Sequence, residues 1–281
     1  TKFDALIILS AISNDPMGNK FEEVTNSINY LAVKKIIEPY LSLPNKRLVF
    51  ASSCSIYGAS EGDPKKEFDT LNPITAYAKS KVAVEKALQK CKMGDGTTAT
   101  SLRFATACGM SDRLRLDLVL NDFVASALIN NRIEILSDGT PWRPLIHVKD
   151  MSRAIEWAIH RDRNVAAPYL AVNTGSSLWN FQVSDLAKAV AKILPNCEVS
   201  INTKGQPDKR SYKVNFDLFK TLAPSHTPLY TLSDTISELV EGISEIRHLI
   251  SDNFRASDFM RLHILENHLK NKRLSSDLRW I

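Results

Sequence analysis

The sequence predicts an α/β protein, a doubly wound parallel sheet joined to a smaller, mainly helical part. Through the first hundred residues short apolar runs alternate with amphipathic helical stretches, the apolar runs are continuous, and beyond about residue 175 helical patterns take over. Continuous apolar runs of strand length mark strands covered on both faces, and their alternation with helices is the order a parallel sheet requires.

The elements follow in order. FDALIIL (3–9) reads as a buried strand that ends in the polar loop SAISNDP. Residues 21–38 read as a helix, with Val24, Ile28, Leu31 and Ile36 at helical spacing and Pro39 as its stop. RLVFASS (47–53) is a second buried strand whose last residues turn small and hydroxylated. Asn72 and Pro73 start a helix that runs to about Lys90, because proline is favoured at a first helical position. TATSLRFA (98–105) is a third strand. A helix near 116–130, the loop SDGTPWRP, a strand in PLIHV, a helix from Asp150 to about His160 and a strand end in AVNTG (171–175) come next. Further on, Ile236, Leu239, Val240, Ile243 and Ile246 mark a buried helical stripe, with TISE as a capping box at its start.

At 281 residues, 44% of them hydrophobic, the chain has room for a large core and two domains. No run of about 18 apolar residues occurs, and residues 1–20 lack the pattern of a secretory signal, so no membrane partner and a cytoplasmic location are expected. The four cysteines form no CxxC pair and the six histidines no HExxH, which argues for neither a metal nor a disulfide framework. The formal charge of +5 is scattered among acidic residues without a basic stripe, so a small anionic ligand is expected and nucleic acid is not.

One stretch carries chemistry. ITAYAKSKVAVEK (74–86) places Tyr77 and Lys81 four residues apart, on one helix face. With seven tyrosines and many lysines that spacing is weak evidence alone. Position strengthens it, because the strand before this helix ends in SSCSIYG and delivers Ser53 to the same sheet edge, where ligands of open α/β sheets bind. A tyrosine has a pKa of about 10, and an adjacent ammonium is expected to lower it. Serine can hold a substrate oxygen while tyrosine takes its proton, after which carbon can release hydride to a nicotinamide. His147 in PLIHV reads as a satisfied strand-end histidine, not an acid or ligand. GDGTTA (94–99) fits a dinucleotide motif on paper but follows a helix and enters a strand, so it reads as a turn.

The landmarks LSAISNDP, FASSCSIYG, YAKSK, LRFATACG, SDGTPWRPLIHVKD, NTGSS and PDKRSY, in this order, resemble the extended short-chain dehydrogenase/reductases, specifically the NAD-dependent nucleotide-sugar epimerase/dehydratase family. The resemblance implies a Rossmann-like cofactor domain (1–109 and 143–176) and a substrate domain (110–142 and 177–281). It implies Ser53 as catalytic hydroxyl, Tyr77 as acid/base and Lys81 on the cofactor ribose. Leu9, Ser10, Ala11, Asn29 and Phe104 would lie along the cofactor, Ser55 and Asn121 along the substrate, and Arg143 and Arg210 on its diphosphate.

The sequence also departs from the family. The family's opening strand, G-x-x-G-x-x-G turn and helix, with roughly 60 to 70 residues of the dinucleotide half, are not in it. It opens with Thr1 at what looks like the family's fourth strand, so a truncated record, a gene fragment or a remnant completed by another chain is expected, and NAD or NADP cannot be chosen. Sugar dehydratases of the family follow the catalytic hydroxyl with an acid pair, whereas Cys54 and Ser55 stand here. The expectation is a nucleotide-sugar 4-epimerase acting through a transient keto-sugar, with a 4-keto-sugar reductase or a non-catalytic nucleotide-sugar-binding remnant as alternatives. The resemblance also favours a homodimer.

Overall fold

The computed structural model describes residues 3–60, 62–205 and 210–281. Pro207, Asp208 and Lys209 of the PDKRSY landmark lie outside the described residues.

β1 (Ala5–Ile8) leads into a loop whose Asn14 side chain accepts from Met17 N (2.8 Å) and so caps α1 (Asp15–Lys20). This short helix precedes the one read from the sequence. α2 (Glu22–Asn26) then passes through a π-helical turn, Ser27–Ala32, into α3 (Val33–Leu41). That turn shifts the helical phase. Thr25, Asn29, Val33, Ile37 and Leu41 are buried, whereas the expected core residues Ile28, Leu31 and Ile36 are 40%, 46% and 51% exposed. Pro39 does not stop the helix but lies inside its last turn, where only one N–H bond is lost.

β2 (Arg47–Ser53) is followed by a 3₁₀ turn at Cys54–Tyr57 and by α4 (Ala76–Lys90). Asn72 and Pro73 fall short of α4, because Thr75 is its cap, accepting from Ala78 N at 3.1 Å. β3 (Thr98–Phe104), β4 (Thr106–Cys108), α5 (Val119–Asn130), β5 (Arg132–Ile135) and β6 (Trp142–His147) come next. Then follow α6 (Val148–His160), β7 (Tyr169–Thr174), β8 (Asn180–Gln182), α7 (Val183–Ile193), β9 (Glu198–Ile201), α8 (Asp217–Leu222), α9 (Leu232–Glu245) and α10 (Arg261–Lys270). α9 starts earlier than TISE, since Thr231 caps it by accepting from Asp234 N. Glu238 is thereby free to reach His147. GDGTTA is the turn that enters β3.

β1, β2, β3 and β7 form one parallel sheet in the order β1-β2-β3-β7. β4, β6 and β8 form a second sheet, and β5 pairs with β9 in a third. Side chains alternate across β2 as its pleat demands: Leu48 and Phe50 pack with Ile37, Leu41, Val84 and Leu88 of α3 and α4, while Val49 packs with Leu102, Val172, Trp157 and Phe219 on the opposite face. Helices therefore cover both faces. The stripe Ile236, Leu239 and Ile243 of α9 packs with Val124, Leu186 and Val190 in a separate cluster, with Val240 and Ile246 against it. β1 is an outer strand, with Ile7 exposed in it and Phe3 and Leu9 exposed at either end.

Candidate active site

Parallel register aligns the carboxyl ends of the strands, with Ile8 beside Phe50 and Ser53 beside Phe104. β2 runs past β1 and presents Ser53 at the rim, where its hydroxyl accepts from Ser55 N (3.2 Å). Tyr77, in the first turn of α4, faces Ser53, whose hydroxyl favours the phenolate. Lys81 lies one turn further, with Nζ 5.4 Å from the Tyr77 ring centroid and 4.7 Å from that of Phe50, donating to Ala51 O at 2.6 Å. The structure thus brings Ser53, Tyr77 and Lys81 together, with the ammonium buried.

The loop after β1 fixes the start of α4. Thr75 Oγ1 donates to Asp15 (2.7 Å), Ala76 N donates to Asn19 Oδ1 (3.1 Å), and Gly18 backs onto Tyr77, where an added Cβ would sit 3.1 Å from Tyr77 Cβ. Asn29, buried in the π turn, accepts from Ile12 N (2.8 Å) and donates to Ile12 O (3.0 Å) and Ser80 Oγ (3.2 Å). Ser80 Oγ in turn donates to Tyr77 O at 2.7 Å. One amide thereby ties the loop to the tyrosine's helix. Opposite, Glu85 accepts bidentately from Arg103 (2.7 and 3.1 Å) and from Ser52 Oγ (2.5 Å), which locks α4 onto β2 and β3.

The electrostatics differ from the simple expectation. Burial pushes the Tyr77 phenol up to about 12, opposed by the Ser53 hydroxyl and by Arg115, and Asp15 adds to the rise. Burial brings Lys81 down to about 8, with Glu85 opposing. The expectation that Lys81 lowers the Tyr77 pKa does not hold. Its ammonium points at Ala51 O instead of the phenol oxygen, and loss of water outweighs the remaining charges.

The other predicted residues divide. Leu9 and Ser10 are exposed just beyond β1 and Ala11 is half-buried, while Phe104 is buried at the end of β3. Ser55 Oγ is buried with no hydrogen-bond partner, an orphan hydroxyl next to Ser53 that a ligand could satisfy. Arg143 and Arg210 both oppose the burial-driven rise of the Tyr212 pKa, and Arg210 also pairs with Asp15 at 3.0 Å. Asn121 uses its amide internally, on Gly109 N and on the carbonyls of Gly109 and Arg115, so it braces the loop after β4.

Residues 1–175, more than half of the chain, match the family described as "NAD dependent epimerase/dehydratase family". The chain belongs to that family. A Rhizobium meliloti (strain 1021) protein named "Probable UDP-glucuronate 4-epimerase" is 33% identical over 165 residues, covering 57% of this chain and 46% of that protein. A Lactobacillus helveticus "UDP-glucose 4-epimerase" is 25% identical over 222 residues, covering 74% and 67%. The chain thus spans about half to two thirds of the curated relatives it matches. Among solved structures, "MoeE5 in complex with UDP-glucose and NAD" superposes with a TM-score of 0.73 at 24% identity, covering 86% of this chain and 79% of that one, which shows a common fold.

In this epimerase/dehydratase chain Cys54, expected with Ser55 where a dehydratase has its acid pair, has a fully buried thiol that donates to Arg103 O (3.0 Å). His147 is buried as expected: Nδ1 accepts from Lys149 N (3.1 Å), Nε2 meets Glu238 (2.5 Å), and the ring stacks on Tyr230 at 3.8 Å. Sequence reasoning missed Asp15 and Arg115 as charges that act on Tyr77. Arg115 binds Asp117 through Nε (2.9 Å) and Nη2 (2.7 Å), and the only local signal for that pair is the ordinary spacing in RLRLD. Of the residues expected along a nicotinamide cofactor, Leu9 and Ser10 are open at the rim, and Lys81 lies buried one turn beyond Tyr77. No glycine-rich turn for the pyrophosphate is found among the described residues.

Proposed function

We propose that the protein is an NAD(P)-dependent oxidoreductase/isomerase acting on a nucleotide-activated sugar, most simply as a 4-epimerase through a transient keto-sugar. The observation that carries this is Ser53 beside Tyr77 with Lys81 one turn on, at the carboxyl rim of the sheet. Ser53 and the orphan Ser55 hydroxyl hold the reacting sugar oxygen, Tyr77 moves its proton, and the Ser53 hydroxyl and the positive charge of Arg115 favour the phenolate when the proton is taken. Bound nicotinamide, NAD or NADP, supplies a hydride acceptor for the sugar carbon, and Lys81 and Leu9–Ala11 hold its ribose end. Arg143 and Arg210 hold the substrate diphosphate, whose oxygens suit guanidinium forks. Residues 110–142 and 177–281 form the substrate lobe, and 1–109 with 143–176 the cofactor lobe.

A second reading, a 4-keto-sugar reductase, is favoured by the raised Tyr77 pKa, because a phenol that keeps its proton at neutral pH is ready to donate it to a carbonyl oxygen. We place the protein in the cytoplasm, in keeping with four free cysteines and, among the described residues, no helix long and apolar enough to cross a membrane. A homodimer through α3 and α4 is consistent with the exposed Leu31 and Ile36.

The test is Tyr77→Phe, assayed on the full chain with UDP-sugar and added NAD or NADP. Loss of about 10²–10⁴-fold in turnover with nucleotide-sugar binding retained is the expected result. An unchanged rate refutes the assignment, and absence of cofactor binding at millimolar concentration favours a binding protein over an enzyme.

A further inference from the structure

At the amino ends of the strands, the side of the sheet away from Tyr77, one cation is buried without a counter-charge. Arg161 caps the carboxyl end of α6 and is 5% exposed. Its Nε donates to Thr100 Oγ1 (2.6 Å) and its Nη2 to the carbonyls of Ala99 (3.1 Å) and Pro168 (2.7 Å), which pins the guanidinium against the start of β3. Nη1 is buried too, and no hydrogen-bond acceptor meets it among the described residues.

The charge is as poorly served as the nitrogen. Among the described residues no carboxylate lies in ion-pair distance of Arg161, whereas Arg103, a guanidinium buried as deeply, is clasped by Glu85 at 2.7 Å. Burial, followed by the like charge of Arg47, brings the Arg161 pKa down to about 10, so it stays charged at neutral pH. Buried ions are ordinarily paired, because the water they lose has to be replaced by an opposite charge.

Arg161 also forms one wall of a cavity of about 50 Å³, the others being Trp157, Asp162, Val165, Ala166 and Leu222. We propose that Arg161 holds a small monovalent anion of the size of chloride in this cavity. Volume sets the size of the ligand, since one water needs roughly 10–15 Å³ on this measure, and about four times that admits chloride and shuts out a nucleotide or a sugar. The lining sets its charge. Trp157, Val165, Ala166 and Leu222 are mainly apolar and strengthen the attraction by lowering the local dielectric, while the carboxylate of Asp162, bound to Asn164 N at 2.8 Å, disfavours a divalent phosphate.

The site is separate from the chemistry at Tyr77. Ala99 and Phe104 stand five residues apart on β3, so about 17 Å of strand divides the anion from the carboxyl rim. Occupation therefore stabilises the junction of α6 with the sheet and leaves turnover unchanged.

The experiment is thermal unfolding of the full chain at constant ionic strength, with sodium gluconate, too large for the cavity, replaced stepwise by sodium chloride or bromide. A saturating rise in midpoint is expected, about 3–5 °C at ten times the dissociation constant. Arg161→Met, which removes the cation, and Ala166→Leu, which fills the cavity and keeps the cation, should both hold the rise under about 1 °C. Ala166→Leu decides the matter should Arg161→Met fail to fold. A midpoint indifferent to halide shows that water alone fills the cavity and overturns the site, as does a rise that survives Ala166→Leu. Crystals soaked in bromide give the direct reading: an anomalous peak beside Arg161 Nη1 is expected, and peaks confined to other positions overturn the assignment.

Discussion

Lys81→Met should make the ligand-free protein more stable, and by an amount that depends on pH. The Lys81 ammonium is 3% exposed, and burial lowers its pKa from 10.5 to about 8. At 1.36 kcal/mol per unit, holding that charge inside the folded protein at neutral pH costs about 3 kcal/mol. Methionine has nearly the same reach and no charge, so the substitution removes this cost. It also removes the hydrogen bond to Ala51 O, worth about 1 kcal/mol. The net expectation at pH 7 is a gain of about 2 kcal/mol.

The sign with pH follows from proton binding. Above about pH 8 the folded Lys81 releases its proton while the unfolded lysine keeps it to about 10.5, so the unfolded state binds more protons and wild-type stability rises across that window. The methionine variant lacks this rise, so its advantage shrinks by about 2 kcal/mol between pH 7 and 9.5. The comparison stops at 9.5, because Tyr77, pushed up to about 12, titrates with the opposite sign above about pH 10. Guanidinium chloride unfolding at the two pH values, followed by fluorescence of the four tryptophans, measures both quantities. A variant no more stable than wild type at pH 7, or a difference unchanged at 9.5, would refute the reasoning. A gain would mean that the buried lysine is kept at the expense of stability, as groups held for function commonly are.

Two further outcomes follow from the same interior. Glu85→Gln keeps the volume but leaves the Arg103 guanidinium buried against a neutral amide, so a loss of about 3–5 kcal/mol in the same unfolding experiment is expected, and a loss under about 1 kcal/mol would show that the pair does not lock α4 to the sheet. Cys54 and Cys108 are fully buried and burial pushes both thiols up, so iodoacetamide on the native protein should label only Cys91 and Cys197, and slowly. All four should react after denaturation, and peptide mass spectrometry finding a native adduct on Cys54 would contradict the buried position that excludes it as an acid.

What was legible in the sequence is what a few neighbouring residues decide. RLVFASS reads as β2 because an apolar run of that length can only be covered on both faces, and its small hydroxylated end falls at the rim for the same reason. Tyr77 and Lys81 share a face because a regular helix holds i and i+4 together. The same rule failed at Ile28, Leu31 and Ile36, since the π turn at Ser27–Ala32 breaks the periodicity on which it depends, and Asn29 inside that turn shows why the break is kept: it points an amide at Ile12 and Ser80. β5 and β9 escaped because RIEI and EVSI are four-residue strands that become visible only when each finds the other. Charge is the least legible of all. The spacing of Tyr77 and Lys81 says nothing of how much water each loses, which reverses the expected tyrosine shift. Likewise, nothing near Arg261 in the chain indicates that it meets Ser13, 248 residues away. The scaffold of such a site is written locally and its electrostatics are written across the chain, so a relative that shares YAKSK but differs at Asp15 or Arg115 should keep the geometry of Ser53, Tyr77 and Lys81 and titrate its tyrosine differently.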